Sequence, residues 1–387
     1  MKNQNRPLYL AGLSILIGSL FAVNSYAQQA ETAEAADEPL KIYGGGEGQV
    51  AYNIMNYPDK ASFSPALILL ESPKNPVPQV ILGVSTKLGL EKTILSKGNP
   101  VKLVMESAIS KDSAKLKKAC AEFKNWVIGL QASNFGDPAL GAVGNKAIQL
   151  SYKQLINPSF SWAISVEEAA KLELYPEKDK KAREQLSEQP LNDIPALAAS
   201  VRCNYPDSRG HLHIGGLGHV LQYHNSKDKK SYFAPAWGVN VGSEFQLLPE
   251  RTSLKGQVVY GKGIGGYLTD LASLEKEVNT AYLKSGATDL YTMDAWGVYL
   301  AIEHRWVPQL RSTLVGRLFD TINNADRAKV QQYKKHYKRG LYGACSLAYH
   351  PTEQFYVGGE YLHGYKTSLD NTSAHANRFQ VVAGFKF

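Results

Sequence analysis

Cysteine is scarce, with three in 387 residues. That excludes a disulfide scaffold, and an odd count cannot pair completely within one chain. Charge is sparse as well: Asp, Glu, Lys and Arg together make up 20% of the residues. Disordered chains combine few aromatics with high net charge. Here 10% of the residues are aromatic, led by 22 tyrosines, and that class is excluded. Apolar residues are 44% of the chain, yet none of the runs after residue 27 approaches the length of a membrane-spanning helix, about 20 residues. The expectation is a mature chain without a transmembrane helix.

The N-terminus carries the one long apolar run. Lys2 and Arg6 precede Leu10 to Val23, and Ser25-Tyr26-Ala27 follows. A basic start, a short apolar stretch and small residues at the −3 and −1 positions predict a secretory signal cut after Ala27. Net charge is +8 overall, and removing Lys2 and Arg6 leaves +6. Residues 28–39 (QQAETAEAADEP) read as a short acidic linker with no heptad of apolar positions. From residue 40 to residue 387 the pattern is of another kind.

There the residues alternate. In the last segment Phe379, Val381, Ala383, Phe385 and Phe387 share one parity, and Arg378, Gln380, Gly384 and Lys386 fall on the other with Val382. Period-two alternation of this kind is a half-buried strand. The same pattern recurs around Trp162, Trp237, Trp296, Leu314 and Val357. Apolar residues facing lipid against small or charged residues facing a lumen are what a closed membrane barrel requires, because backbone groups in lipid must all be paired. Sixteen strands fit, from 40–54 to 377–387, with short turns alternating with long loops. A ten-residue gap at 91–100 and a short loop at 111–114 bend that rule. The predicted fold is all-β, a transmembrane antiparallel β-barrel of sixteen strands. All five tryptophans, and Cys120, Cys203 and Cys345, fall on the outward parity. A final strand ending on Phe387, behind a signal segment, resembles the closing strand of bacterial outer-membrane barrels, where the terminal phenylalanine belongs to the assembly signal.

Two motifs invite other chemistry. Gly261, Gly263 and Gly266 spell G-x-G-x-x-G, but the dinucleotide fingerprint needs a βαβ setting that is missing here. Glycine at a barrel rim or loop base is the expected reading. His211, His213 and His219 share one strand parity, with His224 just beyond. No carboxylate or cysteine of suitable spacing completes a metal set, so neither metal nor cofactor is expected, nor any nucleic-acid partner.

The basic residues carry more. Lys115, Lys117, Lys153, Arg202, Lys255, Arg311, Arg317 and Arg378 fall on the lumen parity. Rings of Lys or Arg in a pore favour anions, and the arginine fork suits carboxylates. Two other readings remain open at this stage: a barrel enzyme, for which no nucleophile elbow is present, and a barrel serving adhesion through its long loops.

Several segments resemble one family, the DcaP-like trimeric porins of Gram-negative outer membranes. They are Lys41–Tyr52, Lys115–Ala119 running on to Asn125-Trp126 and Ser133–Pro138, Gly261–Tyr267, and Trp296-Gly297 through His304-Arg305-Trp306 to Leu310–Thr313. The resemblance implies a sixteen-stranded homotrimer in outer-membrane lipid, inserted by the barrel-assembly machinery. It would pass small organic anions, dicarboxylates among them, and catalyse nothing. It also places Asn134, Phe135 and Asp137 in a constriction loop. This chain departs from the family in lacking an N-terminal coiled coil, in a shorter loop after Phe135, and in carrying Ser151 where the family has arginine.

Overall fold

The computed structural model describes residues 38–387, except 55–56, 59–61, 72–78, 111–112, 170–188, 192–193, 226–228, 275–279, 284–289 and 323–333. The signal segment expected at 1–27, and all but the end of the linker expected at 28–39, lie outside the described residues. In chain order the strands begin with β1 (Lys41–Ile54), β2 (Gln79–Ser96), β3 (Asn99–Ser110), β4 (Ser113–Phe123) and β5 (Trp126–Ala132). Next come β6 (Lys146–Asn157), β7 (Phe160–Glu167), β8 (Gln189–Leu191), β9 (Ala196–Asn204) and β10 (Gly210–Asn225). Then follow β11 (Lys230–Leu248), β12 (Thr252–Lys262), β13 (Ala281–Leu283), β14 (Leu290–Thr292) and β15 (Asp294–Val307). The last are β16 (Leu310–Ile322), β17 (Tyr337–Tyr349), β18 (Phe355–Ser368) and β19 (Ser373–Lys386).

Sixteen of these form one antiparallel barrel. Each long strand pairs with the next, and β1 closes on β19 from Gly45↔Lys386 to Ile54↔Asn377. The three short strands are accessories: β8 extends the β10 edge, and β13 with β14 makes a small hairpin of its own. Closure removes every free edge, the condition for a sheet in lipid.

Alternation explains which face goes where. Leu82, Val84, Ile128, Ile148, Leu300, Leu314 and Val381 point outward and are exposed. Their strand neighbours Ile81, Val127, Ala147, Ala301 and Val382 are buried on the inner side. Aromatic pairs mark the edges of the apolar band, among them Trp126 against Tyr152 and Trp237 against Tyr260, with ring centroids 4.9 and 5.6 Å apart. Such girdles sit at the two membrane–water interfaces. Phe387 belongs to this outer surface. Its backbone pairs with Gly44 in both directions, and its ring stacks beside Phe385.

One end of the barrel has turns of two to five residues; the long connections are all at the other end, which also has short ones between β3 and β4, β10 and β11, and β18 and β19. The ten-residue gap expected at 91–100 does not exist. β2 runs on to Ser96 and β3 begins at Asn99, because Lys97 and Gly98 take φ of +52° and +77°. Two successive positive φ values make the tight hairpin turn whose twist matches the strands, and glycine makes the second cheap.

β4 holds the second difference. Opposite Glu106 and Ser107 the register slips: Lys118 pairs with Glu106 and Leu116 with Ser107, leaving Lys117 as a bulge. A bulge puts two neighbouring residues on one face. Lys117 and Lys118 therefore both reach the lumen. Cys120 turns inward, buried against Val104 and Val127, while Cys203 and Cys345 remain on the outer face.

Candidate functional site

Three long connections fold into the barrel instead of away from it. The β5–β6 connection (133–145) lies along the inner wall of β9 to β16. Asn240 Nδ2 donates to the Phe135 carbonyl at 2.9 Å, the Ala142 N–H donates to Gln257 Oε1 at 2.8 Å, and Gly141 rests against Tyr299. Phe135 itself is fully buried, 5.8 Å edge-on from Tyr267 in the β12–β13 connection. That second segment brings Ile264, Tyr267, Leu268 and Leu271 into the same apolar cluster. The third, between β1 and β2, covers Arg378 with the rings of Tyr57 and Phe63, 5.1 and 5.3 Å from the guanidinium.

Close approach dictates one wall residue. A Cβ on Gly215 of β10 would lie 2.2 Å from the Phe135 carbonyl oxygen. Gly215→Val should therefore lift the β5–β6 connection off the wall and cost about 1–3 kcal/mol, the usual range for overpacking. A lowered unfolding midpoint of the purified barrel, with the β-sheet circular dichroism of the folded state retained, is the expected measurement.

The three segments meet at an ion pair. Asp270 is fully buried, and Arg317 Nη2 on β16 donates to its Oδ1 at 2.6 Å. Arg317 Nη1 also donates to the Gly141 carbonyl at 3.4 Å, and Ser64 Oγ lies 3.4 Å from Asp270 Oδ1. Burial pushes the Asp270 carboxyl above the usual carboxylate range, with Arg317 and Ser64 pulling the other way. One guanidinium thus ties connections from three separate places in the chain.

Asp137 anchors the β5–β6 connection at its near end. It accepts from the Ala139 N–H at 2.9 Å, contacts His211 Nε2 closely, and lies 3.4 Å from Arg202 Nη1. Burial raises its carboxyl, but the Ala139 N–H, His211 and Arg202 outweigh that and hold it below the usual value. A carboxylate held down in the folded state stabilises it above its unfolded value, about 3.9, and the contribution is lost as pH falls through the lower folded value. Acid titration of barrel stability should show that loss, and Asp137→Asn should remove it.

On the other side of the β5–β6 connection a cleft of about 780 Å³ remains open. Its charged lining comprises six cations (Lys117, Lys118, Lys124, Lys146, Lys153 and Arg202) against three carboxylates (Glu106, Glu122 and Asp137). The carboxylates are engaged. Asp137 is held as described, Glu122 lies 3.3 Å from Lys118, and Glu106 accepts the Tyr43 hydroxyl at 2.9 Å. Among the described residues no carboxylate comes within ion-pair distance of Lys117, Lys146 or Lys153. A neighbouring hollow shares Glu106, Lys117 and Lys146 and adds Lys87 and Lys386 against Glu47.

The basic residues singled out from the sequence thus occupy three settings. Lys117, Lys153 and Arg202 line the cleft, and Lys115 stands exposed near the start of β4. Lys255 and Arg311 pair with wall carboxylates, Glu244 at 3.3 Å and Glu303 at 3.8 Å. Arg317 and Arg378 are drawn into loop packing, Arg378 also donating to Asn53 Oδ1 at 2.6 Å. Asn134, Phe135 and Asp137 all lie on the inward connection, and Asn134 Nδ2 donates to Ser151 Oγ at 2.8 Å. Lys118, Lys146 and Asp270 escaped the sequence reading. The bulge hid the first, and Lys146 opens β6 on the parity opposite Lys153, which reads as outward. Asp270 sits in a connection whose buried Ile264, Tyr267, Leu268 and Leu271 are themselves a signal, since exposed loops seldom carry so many large apolar side chains.

No protein-family model matches the sequence, and no curated protein does. Solved structures do match. The outer membrane channel DcaP of Acinetobacter baumannii superposes with a TM-score of 0.74 at 19% identity, covering 90% of this chain and 97% of that one. An anion-selective porin from Comamonas acidovorans gives 0.57 at 11% identity, over 90% and 99% of the two chains. OprB of Pseudomonas putida gives 0.56 at 9%, over 90% and 94%. The chain therefore has the sixteen-stranded fold of the outer-membrane porins, in a form similar to the DcaP channel.

Proposed function

We propose that this chain is a porin of the bacterial outer membrane through which small anionic solutes, dicarboxylate-like ones included, diffuse passively. The observation that carries the reading is the imbalance in the open cleft. Its carboxylates are already occupied by Tyr43, Lys118, His211 and Arg202, whereas Lys117, Lys146 and Lys153 line the cleft with no acidic partner among the described residues. In a narrow water-filled path between low-dielectric walls, such unpaired cations focus the field and raise the local anion concentration. Selectivity then needs only pore width and fixed charge, with no covalent step and no cofactor. The signal segment 1–27, the terminal Phe387 on the outer surface and the lipid-facing band support export to the outer membrane, with insertion by the barrel-assembly machinery. The likeness to DcaP-type channels supports a homotrimer.

Planar-bilayer recording of the purified mature protein under a salt gradient tests the reading. Stepwise conductance in threes with a reversal potential on the anion side is expected. A cation-side potential would overturn the anion assignment, and a folded barrel without conductance would overturn the channel.

A further inference from the structure

Glu167 ends β7 on the inner face, beside the root of the β5–β6 connection, and is 1% exposed. Among the described residues no cationic side chain pairs with it, and its carboxyl faces only hydroxyl and amide groups, those of Ser165, Ser133 and Asn134. Ser165 Oγ donates to Oε1 at 2.8 Å, and Oε2 has no hydrogen-bond partner among the described residues. Directly across the β6–β7 ladder stands Gln149, 3% exposed. Its amide orientation is set, because Nε2 donates to the Ala132 carbonyl at 2.8 Å and a carbonyl can only accept. Gln149 Oε1 is therefore a buried acceptor, and it too has no partner.

Two orphaned acceptors on directly opposed residues pose one problem with one solution. Cross-strand side chains start about 5 Å apart, within reach of each other. An ionised carboxylate buried without a cation, facing another bare oxygen, costs several kcal/mol. The neutral acid has a hydroxyl to donate. We propose that Glu167 is a protonated carboxylic acid whose Oε2–H donates to Gln149 Oε1, locking the root of the β5–β6 connection to the wall. The lock works in series. Gln149 holds Ala132, the last residue of β5, and Asn134 two residues on holds Ser151 on β6. No charged side chain acts on Glu167 itself: Asp137 on the connection, Arg202 on β9 and Lys146 and Lys153 on β6 belong to the cleft, and what faces the carboxyl is Ser133, the Asn134 N–H and Ser165. A negative charge there would have only these neutral donors and no cation to set against its burial. Alkaline pH, by removing the proton, breaks the lock and loosens the root of the connection, while the wall contacts of Phe135, Asp137, Gly141 and Ala142 remain.

The functional half of this inference rests on the channel reading, and the proton itself can be tested apart from it. Infrared difference spectra of wild type and E167Q at neutral pH should show a protonated-carboxyl stretch that the variant loses. Titrating the wild type alone to alkaline pH should bleach the same band, a readout that survives even if E167Q fails to fold. Bilayer conductance of the wild type should change with that titration. E167Q keeps a donor to Gln149 and cannot ionise, so it should show only the change that the cleft lysines give both proteins and lack the component that tracks the band. A wild type without the protonated band, or a band unchanged in E167Q, overturns the protonated lock. An alkaline conductance change identical in both proteins overturns its link to the loop. Absence of any conductance with the band present would fault the channel reading instead.

Discussion

Replacing Lys117 and Lys153 together by glutamate should move the reversal potential from the anion side to the cation side. The cleft would pass from six cations against three carboxylates to four against five. Neither lysine has a carboxylate partner among the described residues, so no ion pair is broken and the barrel should keep its stability. Lys153 is exposed and Lys117 half-buried along the cleft, so the desolvation cost that attends charge reversal in a core is smaller here. The change is read as the sign of the zero-current potential under a KCl gradient. A potential that stays on the anion side in the double variant would show that selectivity is decided elsewhere. Lys255→Ala and Arg311→Ala are the comparison, because their charges are offset by Glu244 and Glu303. Their effect should be much smaller.

Arg317→Ala should widen the channel more than it alters ion preference. Arg317 joins the wall to Asp270 and Gly141, and its guanidinium stacks 4.8 Å from the Tyr342 ring. Removing one partner of a buried ion pair costs about 3–5 kcal/mol, because the other charge is left without compensation. That cost falls on the packing of the three inward segments, since the barrel ladder on either side of Arg317 is intact. The expected result is a larger, noisier single-channel conductance and a lower unfolding midpoint. Adding Asp270→Asn to Arg317→Ala should recover part of the stability, because the uncompensated carboxylate goes with it. A double-mutant cycle on the unfolding midpoint isolates that coupling. Unchanged conductance in Arg317→Ala would mean that the apolar cluster around Phe135 and Tyr267 holds the loops without the ion pair.

The barrel was legible because its physics is local and periodic. Lipid on one side and a wet or loop-filled lumen on the other impose an alternation that each strand displays by itself, as in Phe379, Val381, Ala383 and Phe385. Strand ends were less legible. Lys97-Gly98 is a strong turn pair, yet the polar residues around it blur the alternation and made a two-residue hairpin read as a ten-residue gap. At Lys117 alternation itself failed. A bulge depends on how β4 meets β3, and neither strand alone records that an extra residue has slipped in. The inversion of Lys118 and Cys120 followed from that one residue.

What the sequence by itself determined is the all-β barrel with its outward and inward parities, and a surplus of basic residues on the inner side. All of these follow from residue type and spacing along the chain. Tertiary structure alone decided which of those cations are available to a solute. Lys117, Lys146 and Lys153 lie open in a cleft, Lys255 and Arg311 are matched by wall carboxylates, and Arg317 and Arg378 disappear under loops. The field at a point in the lumen depends on distances between charges from strands and loops far apart in the chain. Such distances are set only when 133–145, 263–274 and the β1–β2 connection fold back inside the barrel and choose their partners.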